Sequence, residues 1–211
     1  MNTTAFAISL TCLLAIIALD FTSATLAMRI VSNRARRIAE ELSLAFEPSP
    51  FVLTRSPRPH IMKGLFAGRM VRITYGFSYV FNEFVDHRPL VITIRLKAKP
   101  HSFLRFDRRL PFTRGPRSSG HREFDRWVAI RGSHALASSL LHDRLVRIAV
   151  KRLVSPTWSH TSQLSITNGG YLHLRRRSSH LSLRSIQETL GILSTIADRV
   201  EHYAQESPHA A

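Results

Sequence analysis

The sequence predicts an α+β protein: an N-terminal transmembrane helix, then an antiparallel sheet (two hairpins plus short strands) covered on one face by helices. Three observations carry this. Ala5–Met28 is an apolar run followed at once by arginines. Arg69–Phe81 and Leu90–Leu96 alternate apolar residues at period two, as half-buried strands do. Later segments, around His134–Leu153 and Ser185–Val200, place apolar residues three and four apart, as amphipathic helices do.

The first element follows from length. A helix crosses a bilayer core of about 30 Å with about 20 residues. Ala5–Leu19 is interrupted only by Ser9 and Thr11, Asp20 intervenes, and Phe21–Met28 restores the apolar tendency. An ionised Asp at mid-membrane costs about 2.5–3.5 kcal/mol, which the neighbouring Leu, Ile and Phe residues offset at about 0.3–0.6 kcal/mol each. The reading is one span over residues 1–28, with Asp20 in its inner half or at the interface rather than serving as an intramembrane relay. Arg29, Arg34, Arg36 and Arg37 follow the run, whereas Met1–Thr4 has no basic side chain. The positive-inside rule then puts the N-terminus outside and the C-terminal domain in the cytoplasm of a single-pass cell-membrane protein. The competing reading is a cleaved signal peptide, but the basic n-region is missing and the site near Thr25-Leu26-Ala27 is poor.

Past the span, Ala24, Met28, Val31, Ala35, Ile38, Leu42 and Ala45 keep the helical spacing, so residues 29–47 read as a juxtamembrane amphipathic helix. Its stripe is either a homodimer seam or a face docked on the chain's own domain. Arg36–Glu40 and Arg37–Glu41 are four-apart pairs on the other side. Pro48 and Pro50 end the helix, and 48–62 reads as an extended linker before a domain over 63–205 and a tail at 206–211.

Within the domain, Val71, Ile73, Tyr75, Phe77, Tyr79 and Phe81 face one way and pair with Leu90, Ile92, Ile94 and Leu96 across a hairpin. His101–Arg122 is basic and turn-rich and reads as a loop. Its Gly115-Pro-Arg-Ser-Ser-Gly120 lacks the Lys-Ser/Thr of a phosphate loop. Glu123–Gly132 reads as a short strand, which would put Glu123 and Asp125 on one side, ion-paired with Arg122, Arg126 or Arg131. Ser133 is a natural N-cap for His134–Leu141, and Asp143 opens a second helical run to Leu153. Asn168-Gly169-Gly170 between Leu164/Ile166 and Leu172/Leu174 marks a hairpin. Ser185-x-x-Glu188 reads as a capping box for the last helix, with Asp198 and Glu201 as solvated charges.

Charge is the strongest functional signal. Thirty Lys+Arg against 14 Asp+Glu give +16, which favours an anionic neighbour: phospholipid headgroups, nucleic acid or an acidic protein. The bland alternative is an arginine-rich solvated surface, since the arginines are spread along the chain. The candidate anion-facing set is Arg29, Arg34, Arg36, Arg37, Arg72, Arg95, Lys97, Arg108, Arg109, Arg175, Arg176 and Arg177. The one cysteine, Cys12, lies in the apolar run, so the sequence contains no intrachain disulfide. No nucleophile elbow, zincin, Cys-x-x-Cys or dinucleotide motif occurs, and no His pair has metal-ligand spacing with an acidic companion. No catalytic residue, metal site or cofactor is expected.

The order of parts resembles a family of uncharacterised prokaryotic single-span membrane proteins with a C-terminal α+β domain and no established activity. The residues that carry the resemblance are the span, Arg37-Ile-Ala-Glu-Glu-Leu-Ser-Leu-Ala-Phe46, Gly64 with Gly68-Arg-Met-Val-Arg-Ile73, and Glu123-Phe-Asp-Arg-Trp-Val-Ala-Ile-Arg-Gly132. It implies a membrane-tethered domain and carries over no catalytic residue. The expected function is a membrane-anchored, non-enzymatic interaction or scaffold domain. The alternatives are a cytoplasmic-face binder of anionic lipid headgroups or nucleic acid, and an enzyme of unrecognised type.

Overall fold

Apolar spacing at three and four, uninterrupted by Pro or Gly, carries the helical period on past residue 28, so that one helix runs through to Glu41. In the computed structural model of the chain, α1 runs Thr3–Glu41, 39 residues and about 58 Å long. The structure describes residues 3–49, 59–76, 88–109, 118–154, 162–178 and 181–206. Side chains at 3–10, 20–21, 23–24, 27–28, 88–89 and 177–178 lie outside the described residues. Val31, Ala35, Ile38, Ala39 and Leu42 of α1 are buried in the core, so the expected stripe docks on the chain's own domain. Ala45 leaves it, exposed in a strand. Arg36 lies over the Phe46 ring, 5.8 Å from its centroid, and among the described residues neither four-apart Arg–Glu pair closes.

Upstream the helix stands clear of the domain. Leu13, Leu14, Ile16, Ile17 and Leu19 are 54–69% exposed, and Leu26 and Ile30 about as much. Among the described residues no helix is long and apolar enough to cross a membrane. The described apolar side chains from Thr11 to Leu19 cover only about 13 Å of helix, and residues 5–10 and Asp20 fall outside the described side chains.

The domain is built on one antiparallel sheet: β1 Ala45–Glu47, β2 His60–Phe66, β3 Arg69–Tyr75, β4 Arg88–Arg95, β5 Leu104–Arg108, β6 Val128–Gly132, β7 Gln163–Thr167 and β8 Tyr171–Ser178. Its order is β1-β2-β3-β4-β8-β7-β5-β6. Eight strands replace the five to six expected. The β3–β4 hairpin pairs as the alternation predicts, Ile73 opposite Ile92, but β3 ends at Tyr75, and Phe77, Tyr79 and Phe81 lie outside the described residues. β2 turns residues 60–62 of the expected linker into sheet, and β1 adds an edge. β5 lies inside the expected basic loop, between β6 and β7.

Four helices follow: α2 Arg122–Asp125, α3 His134–His142, α4 Arg144–Val154 and α5 Leu183–Glu206. α2 corrects the expected strand over Glu123–Gly132. The chain makes one helical turn before β6, packing Phe124 edge-on against Phe106 at 6.4 Å, so Glu123 and Asp125 do not share a strand face. Ser133 caps α3 as expected, its Oγ accepting from Leu136 N–H at 3.3 Å. Asp143 accepts from Leu145 N–H at 2.7 Å at the start of α4. α5 begins before the expected capping box. Ser182 Oγ takes the Ser185 N–H, and Glu188 pairs with Arg152. The β7–β8 turn is at Asn168-Gly169-Gly170, but the positive φ (80°) belongs to Gly170, whose N–H closes the turn on Thr167 O.

Inward parity is mostly apolar, with His60, Arg69 and Arg176 the polar exceptions: Met62, Val71, Ile73, Tyr75, Leu90, Ile92, Ile94, Leu104, Phe106, Val128, Ile130, Leu164, Ile166, Leu172 and Leu174 are buried in one cluster with the helix residues Leu136, Val150, Leu190, Leu193 and Val200. All the helices that reach this core cover one face. The other face is left largely open by the described residues, although outward Ser165 and Ala129 are buried.

Candidate interaction face

Antiparallel register sorts the outward residues into rows. One row crosses all eight strands: Ala45, Lys63, Arg72, Thr93, His173, Ser165, Arg105 and Arg131. The next holds Glu47, Ile61, Thr74, Val91, Arg175, Gln163, Asp107 and Ala129. At the hairpin end lie Leu65 beside Met70 and Arg95 beside Tyr171, with Phe103 just before β5. Period-two alternation makes this face: strands that send aliphatics inward send mostly polar or charged residues outward, with Ile61, Leu65, Met70, Val91 and Ala129 the apolar exceptions.

The two outward acids are both engaged. Glu47 pairs with Lys63, and Asp107 takes Arg105 Nε at 2.8 Å and lies 3.5 Å from Arg131 Nε. Arg72, Arg95 and Arg175 are exposed, and no carboxylate among the described residues pairs with them. At the centre of the face Thr93 Oγ1 and His173 Nδ1 share a hydrogen bond of 3.0 Å, and the Tyr171 ring stacks on His173 at 5.8 Å.

Burial pushes the His173 pKa below its ordinary 6.5. The unfolded chain therefore holds that proton more tightly, and stability from this group is present above about 6.5 and lost as pH falls. His173→Asn, which keeps an amide for Thr93, is expected to flatten the decline in melting temperature between pH 7 and pH 5. An acid limb identical to wild type contradicts the assignment.

The twelve expected anion-facing residues do not form one surface. Arg29, Arg34, Arg36 and Arg37 are exposed along α1. Arg72, Arg95 and Arg175 share the uncovered face, and Lys97 follows it at the end of β4, near the β2–β3 turn. Arg108 and Arg109 are half-buried at the end of β5, Arg109 donating to Asp125 O at 2.7 Å. Arg176 points to the core side, with Nη2 on Ser185 Oγ at 3.0 Å; burial lowers its pKa, against the opposing charge of Glu188. The Arg177 side chain lies outside the described residues. Sequence reasoning misses Arg105, because β5 reads as loop, and takes Arg131 only as an ion-pair partner of Glu123 or Asp125; the β5–β6 pairing brings both to the same row.

A second basic region lies around α2. An open cleft of about 450 Å³ is lined by His121, Arg122, Glu123, Phe124, Arg144, Arg147, Ile148 and Lys151. A neighbouring one of about 570 Å³ is lined by Arg109, Ser118, Gly120, Arg122, Asp125 and Arg126. Their acids are occupied: Lys151 bonds Glu123 and lowers its pKa, and Ser118 Oγ and Ser119 N–H bond Asp125 at 2.6 and 2.9 Å. Burial alone would raise the Asp125 pKa, but these bonds and the Arg109 charge outweigh it and lower it. The expected partners Arg122, Arg126 and Arg131 do not pair with either acid. Among the described residues no group of three or more His, Cys, Asp or Glu side chains is placed to hold a metal.

Fold and face together define the class: a one-sided antiparallel α+β domain on the end of a long helix. The crystal structure of the mycobacterial trehalose monomycolate transport factor A has a similar fold, with a TM-score of 0.53 at 12% sequence identity, over 80% of this chain and 93% of that one. No family model and no curated protein sequence matches the chain.

Proposed function

We propose that this chain is a membrane-anchored interaction domain, non-enzymatic, held by the N-terminal half of α1 and presenting its uncovered sheet face. The observation that carries the reading is the division of α1. Residues 31–42 bury an apolar stripe in the domain, while Leu13, Leu14, Ile16, Ile17 and Leu19 of the same unbroken helix stand exposed around its circumference. A helix apolar on all sides needs an apolar surrounding. Exposed in water, that cluster would be a larger apolar patch than soluble proteins ordinarily carry. The sequence extends the run back to Ala5, which brings it near the length of a span. The similar crystal structure contributes the fold and assigns no substrate or partner.

Positive-inside orientation from Arg29, Arg34, Arg36 and Arg37 places the domain on the cytoplasmic side. With a tag after Ala211, the chain is expected to stay in carbonate-washed membranes and the tag to resist protease until cells are permeabilised. Release by carbonate would contradict the anchor; digestion of the tag on intact cells would reverse the orientation.

A further inference from the structure

We propose that the uncovered sheet face docks an acidic protein partner, through carboxylates on Arg72, Arg95 and Arg175 and an apolar side chain against the Leu65–Met70–Tyr171 end. The inference rests on the interaction-domain reading above and names the chemistry of the partner. Charge complementarity is the first ground. Among the described residues the face holds six cations, and its two acids already engage three of them. Strand and residue spacings put the Cα atoms of Arg72, Arg95 and Arg175 roughly 8–14 Å apart, the scale of successive acids on one exposed strand or helix. Composition is the second. Leu65 (64% exposed), Met70 (49%), Phe103 (44%) and Tyr171 (40%) stand beside these arginines. Aromatic, Met and Arg enrichment marks the centre of protein–protein interfaces. Area is the third. Eight strands about 4.8 Å apart and about 17 Å long give a face of roughly 600 Å² before side-chain relief, near the roughly 800 Å² each partner contributes to a standard interface.

The same observations disfavour nucleic acid. Base stacking needs free ring faces, and here one side of the Tyr171 ring is taken by His173, Leu65 and Met70 offer no platform, and Phe103 is a single exposed ring rather than a row. Arginine's planar fork binds both oxygens of a carboxylate at once, as it does those of a phosphate, so the apolar neighbours Leu65 and Met70 rather than the arginines favour a protein.

The test uses the full chain in the cells that make it, with the photoreactive benzoylphenylalanine in place of Met70. The expected result is an adduct with another protein through an acid-rich peptide. Its yield should fall at least tenfold in the combined variant Arg72→Glu, Arg95→Glu, Arg175→Glu. The control Arg122→Glu, Arg126→Glu, Arg144→Glu, equal in charge change but on the helix side, should leave the yield unchanged. Reversing the acids of the captured peptide to arginine should restore the adduct in the face variant. If the triple variant melts early, Arg95→Glu alone, at a strand end, is expected to lower the yield about threefold with melting unchanged. An adduct with RNA, lipid or a second copy of the chain, an adduct insensitive to the reversals, or no adduct would overturn the proposal. Carbonate extraction of the same cells reads the anchor separately, so an adduct retained on a released chain would sink the anchor and keep the docking face.

Discussion

Glu201→Ala is expected to destabilise the domain by about 3–5 kcal/mol, measured by urea unfolding of the full chain in detergent, because it strands a buried guanidinium. Arg69 opens β3 at inward parity, only 6% exposed, and Glu201 of α5 is 7% exposed. Glu201 accepts from Arg69 Nε at 3.2 Å and Nη2 at 2.7 Å, and also from Lys97 N–H at 2.7 Å, so one carboxylate ties α5 to the ends of two strands. Asp198 and Ser194 complete the ring around the guanidinium. The Glu201 hydrogen bond is the largest influence raising the Arg69 pKa, against burial that lowers it. Asp198→Ala should cost about 1 kcal/mol or less, since that carboxylate is largely exposed. Replacing the pair together, Arg69→Met with Glu201→Leu, should recover most of the loss, because no unpaired charge remains. A single Glu201→Ala variant as stable as wild type would contradict the buried-pair account.

Gly132→Ala is expected to cost about 3–5 kcal/mol, combining backbone strain with a steric clash. Gly132 ends β6 with φ at 104°, a region that side-chain-bearing residues rarely adopt. A Cβ there would lie 2.2 Å from the Phe103 carbonyl oxygen and 3.0 Å from its carbon. These are backbone atoms beside β5, so relief requires moving the strand rather than turning a rotamer. The measurement is the urea midpoint of the variant beside Gly120→Ala, where φ is also positive but no atom lies within 4 Å of the added Cβ. Equal losses in the two would show that strain alone acts and that the contact does not.

How much of this was legible in the sequence depends on separation along the chain. Ser133 declares its cap because the group it bonds, Leu136 N–H, is three residues away. Asn168-Gly169-Gly170 declares a hairpin because the turn chemistry is contiguous, although the positive φ falls one glycine later than the Asn-Gly pair suggests. β2 is hidden by Gly64 and by the Pro-rich stretch before it, and β5 by the arginines of its neighbourhood. Arg69 and Glu201 lie 132 residues apart, so nothing local marks them as partners. A charged residue at the inward parity of Val71, Ile73 and Tyr75 was the available hint. The interaction face was half legible. Arg72, Arg95 and Arg175 follow from alternation, but their assembly with Arg105 and Arg131 depends on β8 joining β4 some 80 residues downstream and on β5 lying between β6 and β7.

Cys12 offers the most direct measurement on α1, since it is the chain's one cysteine and lies exposed within the apolar stretch. Native membranes carrying the full chain would be treated with a membrane-impermeant maleimide, from both sides, before and after dissolution in SDS. A bilayer-embedded helix predicts no modification of Cys12 until SDS is added, then complete modification. Modification in intact membranes at the rate seen in SDS would place Cys12 in water and contradict the anchor.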